Sequence, residues 1–349
     1  MSFPRKRIIV DKPGGYGVFR YDETPIDDPG PGEVQVEVEA CGINFADVSV
    51  RLGLYRAAKG LYPLCLGLEF AGVVKSTGPR VEGFKPGDRV FGACRFGGYA
   101  TAINSPAEHL WPLPEAWNFE RGATFPVAYL TAYYALHHVG HLKESDRVMV
   151  HSAAGGVGIA LLHLLKVNGN MSVGVVGNAN KVGKAQQAGA SFVLDKGTQD
   201  LWKKAEELSP EGYDLILDAN GASTLKGSYG HLRPAGRLLI YGFASMFSHS
   251  GRKNYLKLIW YYLKTPRFNP FDMTGANKTI SGFNLIYLFD KVHLFRNIMK
   301  TLIRWDTEGL IPSMPITPFP FEDVVSAHKA IESGRSVGKL ALKVVGVTS

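Results

Sequence analysis

Between Arg147 and Gly158 the chain reads RVMVHSAAGGVG, an apolar run, a turn of small residues and the start of an apolar helix. Ser152, Gly155 and Gly158 stand at intervals of three, with Gly156 and Val157 completing the turn. Small residues here let the backbone turn tightly and bring its N–H groups up to a phosphate, whose charge the N-terminus of the following helix stabilises. An ordinary strand-to-helix turn uses glycine in the same way, so the flanking elements decide.

Ile159, Leu161, Leu162, Leu164, Leu165 and Val167 predict a buried crossover helix ending at Asn168-Gly169-Asn170. Ser172 to Gly177 then reads as an uncharged, β-branched strand covered on both faces. At the end of that strand an NAD site carries a carboxylate for the ribose 2′-OH, whereas this chain has Gly177-Asn178-Ala179-Asn180-Lys181. With no anion to repel a 2′-phosphate, and with Lys181 and Lys196 to pair with it, NADPH is the expected cofactor. A solvated helix-start lysine is the other reading of Lys181.

Strands at Ser191–Leu194, Tyr213–Asp218 and Arg237–Tyr241 alternate with helices, the first of them over 199–208. That alternation predicts an α/β fold with a Rossmann-type, doubly wound parallel sheet. Ligands sit at the carboxyl ends of such strands, which puts Asp218–Gly221, with Asn220, and Gly242–Ser245 beside the nicotinamide half. Turn punctuation alone also explains Gly221 and Gly242.

These elements occupy the middle of a 349-residue chain, long enough for two domains, with 45% hydrophobic and 20% charged residues. Before Pro126 the pattern is β-rich with close Gly and Pro turns, as in Gly32–Glu39 and Lys85–Val90, and Gly338–Val345 alternates in the same way. The expected division is 1–126 with 284–349 as a β-rich, partly barrel-like domain, and 127–283 as the dinucleotide domain. No apolar run is long enough for a signal peptide or a membrane span, which predicts a cytoplasmic protein. Three scattered cysteines predict reduced thiols, and a net charge of +8 spread along the chain suits an anionic cofactor with no nucleic-acid partner.

Together these segments resemble the zinc-free quinone oxidoreductase branch of the medium-chain dehydrogenase/reductase superfamily. The resemblance is carried by Cys41-Gly-Ile-Asn44-Phe-Ala-Asp47, Arg51-Leu-Gly-Leu-Tyr55, Gly67-Leu-Glu69-Phe-Ala-Gly72, Phe84-Lys-Pro-Gly-Asp-Arg-Val90, the glycine turn and Leu232-Arg-Pro-Ala-Gly-Arg-Leu238. Val150-His-Ser-Ala153, Tyr241-Gly-Phe-Ala-Ser245 and Ser281–Leu288 are similar to the synaptic-vesicle membrane protein (vesicle amine transport) homologues. The resemblance implies a GroES-like catalytic domain, a homodimer joined edge to edge through the strand at Arg237–Tyr241, and NADPH-dependent reduction of a quinone or activated enone. It also implies roles. Asn44 lies beside the nicotinamide, Tyr55 donates to the acceptor oxygen and Thr131 holds the carboxamide. Gly242, Phe243 and Ser245 follow the nicotinamide ribose, Gly282 and Phe283 close over the ring, and Gly338 and Lys339 approach the cofactor. Turn capping by Asn44, packing by Tyr55 and a back-bonded helix hydroxyl at Thr131 remain alternatives.

Zinc-dependent relatives carry Gly-His-Glu where this chain has Gly67-Leu68-Glu69, and a four-cysteine loop that it lacks, so no metal site is expected. His137 and His141, four apart, either share a metal or, with His138, place positive charge at a helix C-terminus. Over 252–268, Leu256, Ile259, Trp260 and Leu263 fall on one helix face among Arg252, Lys253, Lys257, Lys264 and Arg267. This basic amphipathic helix suits a lid, an oligomer contact or a peripheral membrane contact. It keeps a second function open, an NADPH-binding membrane or partner adaptor with little turnover.

Overall fold

The computed structural model describes residues 2–247 and 254–344. The first part holds β1 (Arg7–Val10), β2 (Phe19–Asp22), β3 (Glu33–Ile43), α1 (Phe45–Arg51), β4 (Leu64–Cys65), β5 (Glu69–Thr77), β6 (Arg89–Ala93), β7 (Ala102–Pro106) and β8 (Leu110–Pro112). Helices α2 (Phe119–Thr124) and α3 (Pro126–Tyr133) lead into β9 (Val148–His151), α4 (Gly156–Val167), β10 (Ser172–Val176), α5 (Val182–Gln187) and β11 (Phe192–Asp195). Next come α6 (Leu201–Leu208), β12 (Tyr213–Asp218), α7 (Leu225–Gly230) and β13 (Leu232–Ile240). The remainder is α8 (Tyr255–Lys264), α9 (Pro270–Ala276), β14 (Thr279–Gly282), α10 (Val292–Thr307), β15 (Ile316–Pro320), α11 (Val324–Glu332) and β16 (Lys339–Lys343).

Strands β9 to β14 form a parallel sheet in the order β11-β10-β9-β12-β13-β14. The strand order reverses between β9 and β12, and the crevice for a ligand opens where it does so. The inner strands β9, β10 and β12 are buried along their whole length, as their uncharged runs require. Ile159, Leu161, Leu162, Leu164 and Leu165 bury the crossover helix, each contributing roughly 1.5–3 kcal/mol. One expectation is corrected: the strand at Arg237–Tyr241 begins at Leu232 and is internal, because β14 pairs with it from Arg237 to Ile240. The open edge on that side is therefore β14.

The β-rich part is a second sheet, β15-β16-β3-β5-β6-β8, with β7 also paired to β3, and a small sheet β2-β1-β4 beside it. Along β3, Val34, Val36 and Val38 are buried while Glu33, Glu37 and Glu39 are half-buried, as the alternation read from the sequence requires; Gln35 departs from it, buried with its amide donating to Asp27 O and Asn104 Oδ1. The C-terminal β16 returns antiparallel to β3, placing Leu340 opposite Ile43. Before it enters that sheet, Gly338 makes a bridge to Gly155, and the Gly338 N–H donates to Ala154 O at 2.9 Å. The two sheets thus meet at the glycine turn.

Candidate active site

Helix α4 starts at Gly156 with no side chain capping it, so its first-turn amides are left for a ligand at the crevice. Ser152 sits in the left-handed region at φ 55°. Its hydroxyl donates to Asn220 Oδ1 at 2.9 Å, tying the β9 turn to the β12 turn across the crevice. A Cβ on Gly158 would lie 2.3 Å from Ser152 O, so glycine is required there. Asp218 Oδ1 accepts from the Asn220 and Gly221 N–H groups and shapes the second turn. The Asn220 Nδ2 and Asn178 Oδ1 atoms are buried and have no partner, as expected of groups that a polar ligand completes. The cradle and these orphaned atoms fit a dinucleotide.

At the end of β10, Lys181 Nζ donates to Gly334 O at 2.6 Å, and the Lys196 stem runs beside Gly177. Partial burial, then the Lys196 charge, pulls the Lys181 ammonium below its ordinary range. Two cations facing one another favour an anion between them. The turns carrying Asn220 and Ser245 are joined, since the Ser245 N–H and hydroxyl both donate to Asn220 O. Gly242 is packed against Ala219 O, and Phe243 is exposed and packed against Gly221. Gly282 pairs with Ile240 at the sheet edge, and the Phe283 ring lies 5.1 Å from that of Tyr134.

Facing this crevice from the other sheet is a buried polar set. Asn44 Nδ2 donates to Glu69 Oε1 at 2.8 Å, and Lys339 Nζ donates to Asn44 Oδ1 at 2.6 Å, Glu69 Oε1 at 2.7 Å and Ile43 O at 2.9 Å. Glu69 Oε2 accepts from the Val127 N–H at 2.8 Å, at the start of α3. Asp47 accepts from the Asn44 N–H at 2.8 Å, from the Tyr99 hydroxyl and from the Gly67 N–H. Tyr55 reaches across to the loop after β14, where its hydroxyl donates to Asn284 Oδ1 at 2.8 Å. Burial pushes the Tyr55 phenol up to about 12, so it stays protonated.

Three expectations change. Lys339 does not reach the cradle as a cation, because all three ammonium protons are committed to Ile43, Asn44 and Glu69. The Thr131 hydroxyl donates back to Val127 O at 2.6 Å, so only its oxygen lone pairs can meet a carboxamide. His137 does not supply positive charge to a helix end, since burial and then His138 lower it to about 4. The cation at that end is Arg237, whose guanidinium donates to Gly140 O and His141 O. Glu69 was missed as a site residue, although a lone carboxylate inside Leu66–Val74 is the signal for it. Arg252 and Lys253 lie outside the described residues.

Residues 30–115 match the alcohol dehydrogenase GroES-like domain, and residues 188–342 match the zinc-binding dehydrogenase family. The chain is 32% identical over 341 residues to the synaptic vesicle membrane protein VAT-1 homolog of Mus musculus, covering 97% of this chain and 84% of that protein. It therefore belongs to the medium-chain dehydrogenase/reductase superfamily, in the family of the VAT-1 homologs. The crystal structure of the human VAT-1 homolog-like protein covers 99% of both chains at 27% identity, with a TM-score of 0.84. Escherichia coli quinone oxidoreductase complexed with NADPH covers 97% of this chain and 99% of its own at 28% identity, with a TM-score of 0.83.

The zinc in that family description does not fit the residues present. Leu68 is apolar and buried, both Glu69 oxygens are held by Lys339, Asn44 and Val127, and the Cys41 thiol is buried against Ala100 O and pushed up by that burial. Among the described residues no group of three or more His, Cys, Asp or Glu side chains is gathered as a metal requires.

Proposed function

We propose that the chain is an NADPH-dependent, zinc-independent reductase of quinones or activated enones. The observation that carries the reading is the end of β10, where Lys181 and Lys196 flank a turn without a carboxylate. Escherichia coli quinone oxidoreductase, which shares the fold, is complexed with NADPH. Gly155, Gly156, Val157 and Gly158 hold the pyrophosphate, and Gly177, Asn178, Lys181 and Lys196 hold the 2′-phosphate ribose. Ser152, Asn220, Gly242, Phe243 and Ser245 line the nicotinamide half, the Thr131 oxygen accepts from the carboxamide, and Gly282 and Phe283 cover the ring. A reduced nicotinamide supplies hydride.

Tyr55 donates a hydrogen bond to the acceptor oxygen as negative charge develops there, once its single proton has turned from Asn284 Oδ1 to the substrate, and Asn44 orients the reacting groups from the other side. The one proton that completes the reduction after hydride transfer comes from Tyr55 or solvent. The division at 126/127 and 283/284 puts Asn44 and Tyr55 on one domain and the cradle on the other. A homodimer through the open β14 edge satisfies its unpaired backbone groups; a monomer by light scattering at micromolar concentration rejects it.

Helix α8 supports a second reading, an adaptor lying on a membrane. Its apolar face points outward, with Leu256 81%, Ile259 57%, Trp260 48% and Leu263 72% exposed, and Lys264 lies over the Trp260 ring. No helix among the described residues is long and apolar enough to cross a membrane. NADPH oxidation against a panel of quinones and enones, beside binding to anionic liposomes, separates the readings. Turnover supports the reductase. NADPH binding without turnover, with liposome binding lost in Trp260→Ala, supports the adaptor.

A further inference from the structure

We propose that Lys339 is a positioning residue that couples occupancy of the phosphate turn to the orientation of Asn44. The inference rests on the cofactor reading above.

The Lys339 stem crosses the turn so closely that a Cβ on Gly156 would lie 2.5 Å from Lys339 Cδ. Its backbone is fixed at both sides. The Gly338 N–H donates to Ala154 O at 2.9 Å, and the Lys339 N–H donates to Pro315 O at 3.0 Å. Gly338 has φ 68°, and a Cβ there would lie 2.0 Å from Pro315 O, so the chain can pass between turn and loop only as glycine. A pyrophosphate that draws in the Gly156 amide therefore presses against the Lys339 stem.

The head of the same side chain sets the Asn44 amide. Lys339 can only donate, so Asn44 Oδ1 must face it, and Glu69 Oε1 then takes the Nδ2 group. Without the ammonium, Asn44 Oδ1 loses its charged donor, and the amide is held only by the Nδ2 bond to Glu69 and by the capping box with Asp47. Glu69 Oε2 extends the coupling to the Val127 N–H, on the helix that carries Thr131. Three elements that touch the crevice share one buried cation.

Amide hydrogen exchange of the full chain, with and without NADPH, tests this in wild type, Lys339→Met and Glu69→Gln. In wild type NADPH slows exchange at 152–158 and also at 44–48. In Lys339→Met, protection persists at 152–158 and is lost at 44–48. Glu69→Gln keeps the lysine stem but removes its charge partner; should the first variant not fold, it shows the same uncoupling. The NADPH dissociation constant then moves little, while kcat with a quinone falls by about 10- to 100-fold, as for a reacting group slightly misplaced. Unchanged protection at 44–48 in a folded variant overturns the inference. Absence of protection at 152–158 in wild type overturns the cofactor reading and the inference with it.

Discussion

Replacing Lys181 by alanine tests the origin of cofactor choice. Its ammonium is half-buried, gives one proton to Gly334 O at 2.6 Å and keeps the others for a phosphate. A hydrogen bond between charged groups contributes about 1.5–3 kcal/mol when shielded, and a fully exposed pair about 0–1 kcal/mol. Half-burial puts Lys181 near 1.5 kcal/mol, roughly a tenfold change in affinity. Lys196 keeps part of the attraction and no longer repels its neighbour, so the loss is not larger. Lys181→Ala is expected to weaken NADPH about tenfold and NADH less than about twofold, read by fluorescence of the bound reduced nicotinamide. Raising the salt concentration narrows the NADPH difference, because the pair is partly open to solvent. Equal weakening of both cofactors refutes the reasoning, since it makes the lysine a support for the 334 loop and not a reader of the 2′-phosphate.

Gly158→Ala forces a Cβ to 2.3 Å from Ser152 O, a backbone atom that cannot move away cheaply. It is expected to lose about 1–3 kcal/mol in urea unfolding, with NADPH binding abolished. Glu332→Ala removes the carboxylate to which the buried Arg51 guanidinium donates, and the uncompensated charge is expected to cost about 3–5 kcal/mol by the same assay. His328 is held down to about 3, first by burial and then by the Arg51 charge. Its folded value lies below its unfolded one, so its stabilisation is complete above about pH 6.5 and is lost as pH falls toward 3. His328→Phe keeps a ring against Phe19 and Tyr99 but removes this proton, and is expected to flatten the acid slope by up to about 1.4 kcal/mol per pH unit. An unchanged slope between pH 6 and about 4 rejects the assignment.

The glycine turn, its crossover helix and the β10 strand were legible because each is local: spacing, periodicity and the absence of a carboxylate all lie within thirty residues of one another. The pattern of β3 was legible for the same reason. Lys339 was not, since its destination depends on the register that sets Leu340 opposite Ile43, a pairing between distant parts of the chain. Glu69 was quoted as part of a motif, yet only the arrival of Lys339 gives its carboxylate a charged partner beside Asn44 and the Val127 N–H. Strand β14 is four residues, TISG, too short for alternation to mark it, and so the sequence alone leaves β13 looking like the sheet edge. His137 looked like a helix-end cation because sequence spacing does not reveal the burial that keeps its ring neutral.

The route of the chain through the β-rich sheet has a consequence for the order of synthesis. Strands β9 to β14 are complete once Gly282 has left the ribosome, so the parallel sheet can close while the C-terminal residues are still being made. The β-rich sheet must wait for completion, because the 40–43 end of β3, already paired to β5 and with β7 along its start, lacks its other neighbour until β16 emerges. Through that interval Asn44 and Glu69 are exposed to water and β3 presents an open edge, a surface that invites pairing with other chains and chaperone attention. Emergence of β16 therefore supplies the missing strand and the cation for Glu69 in a single event. A nascent chain truncated before residue 338 should keep the cofactor sheet and lose the partner domain.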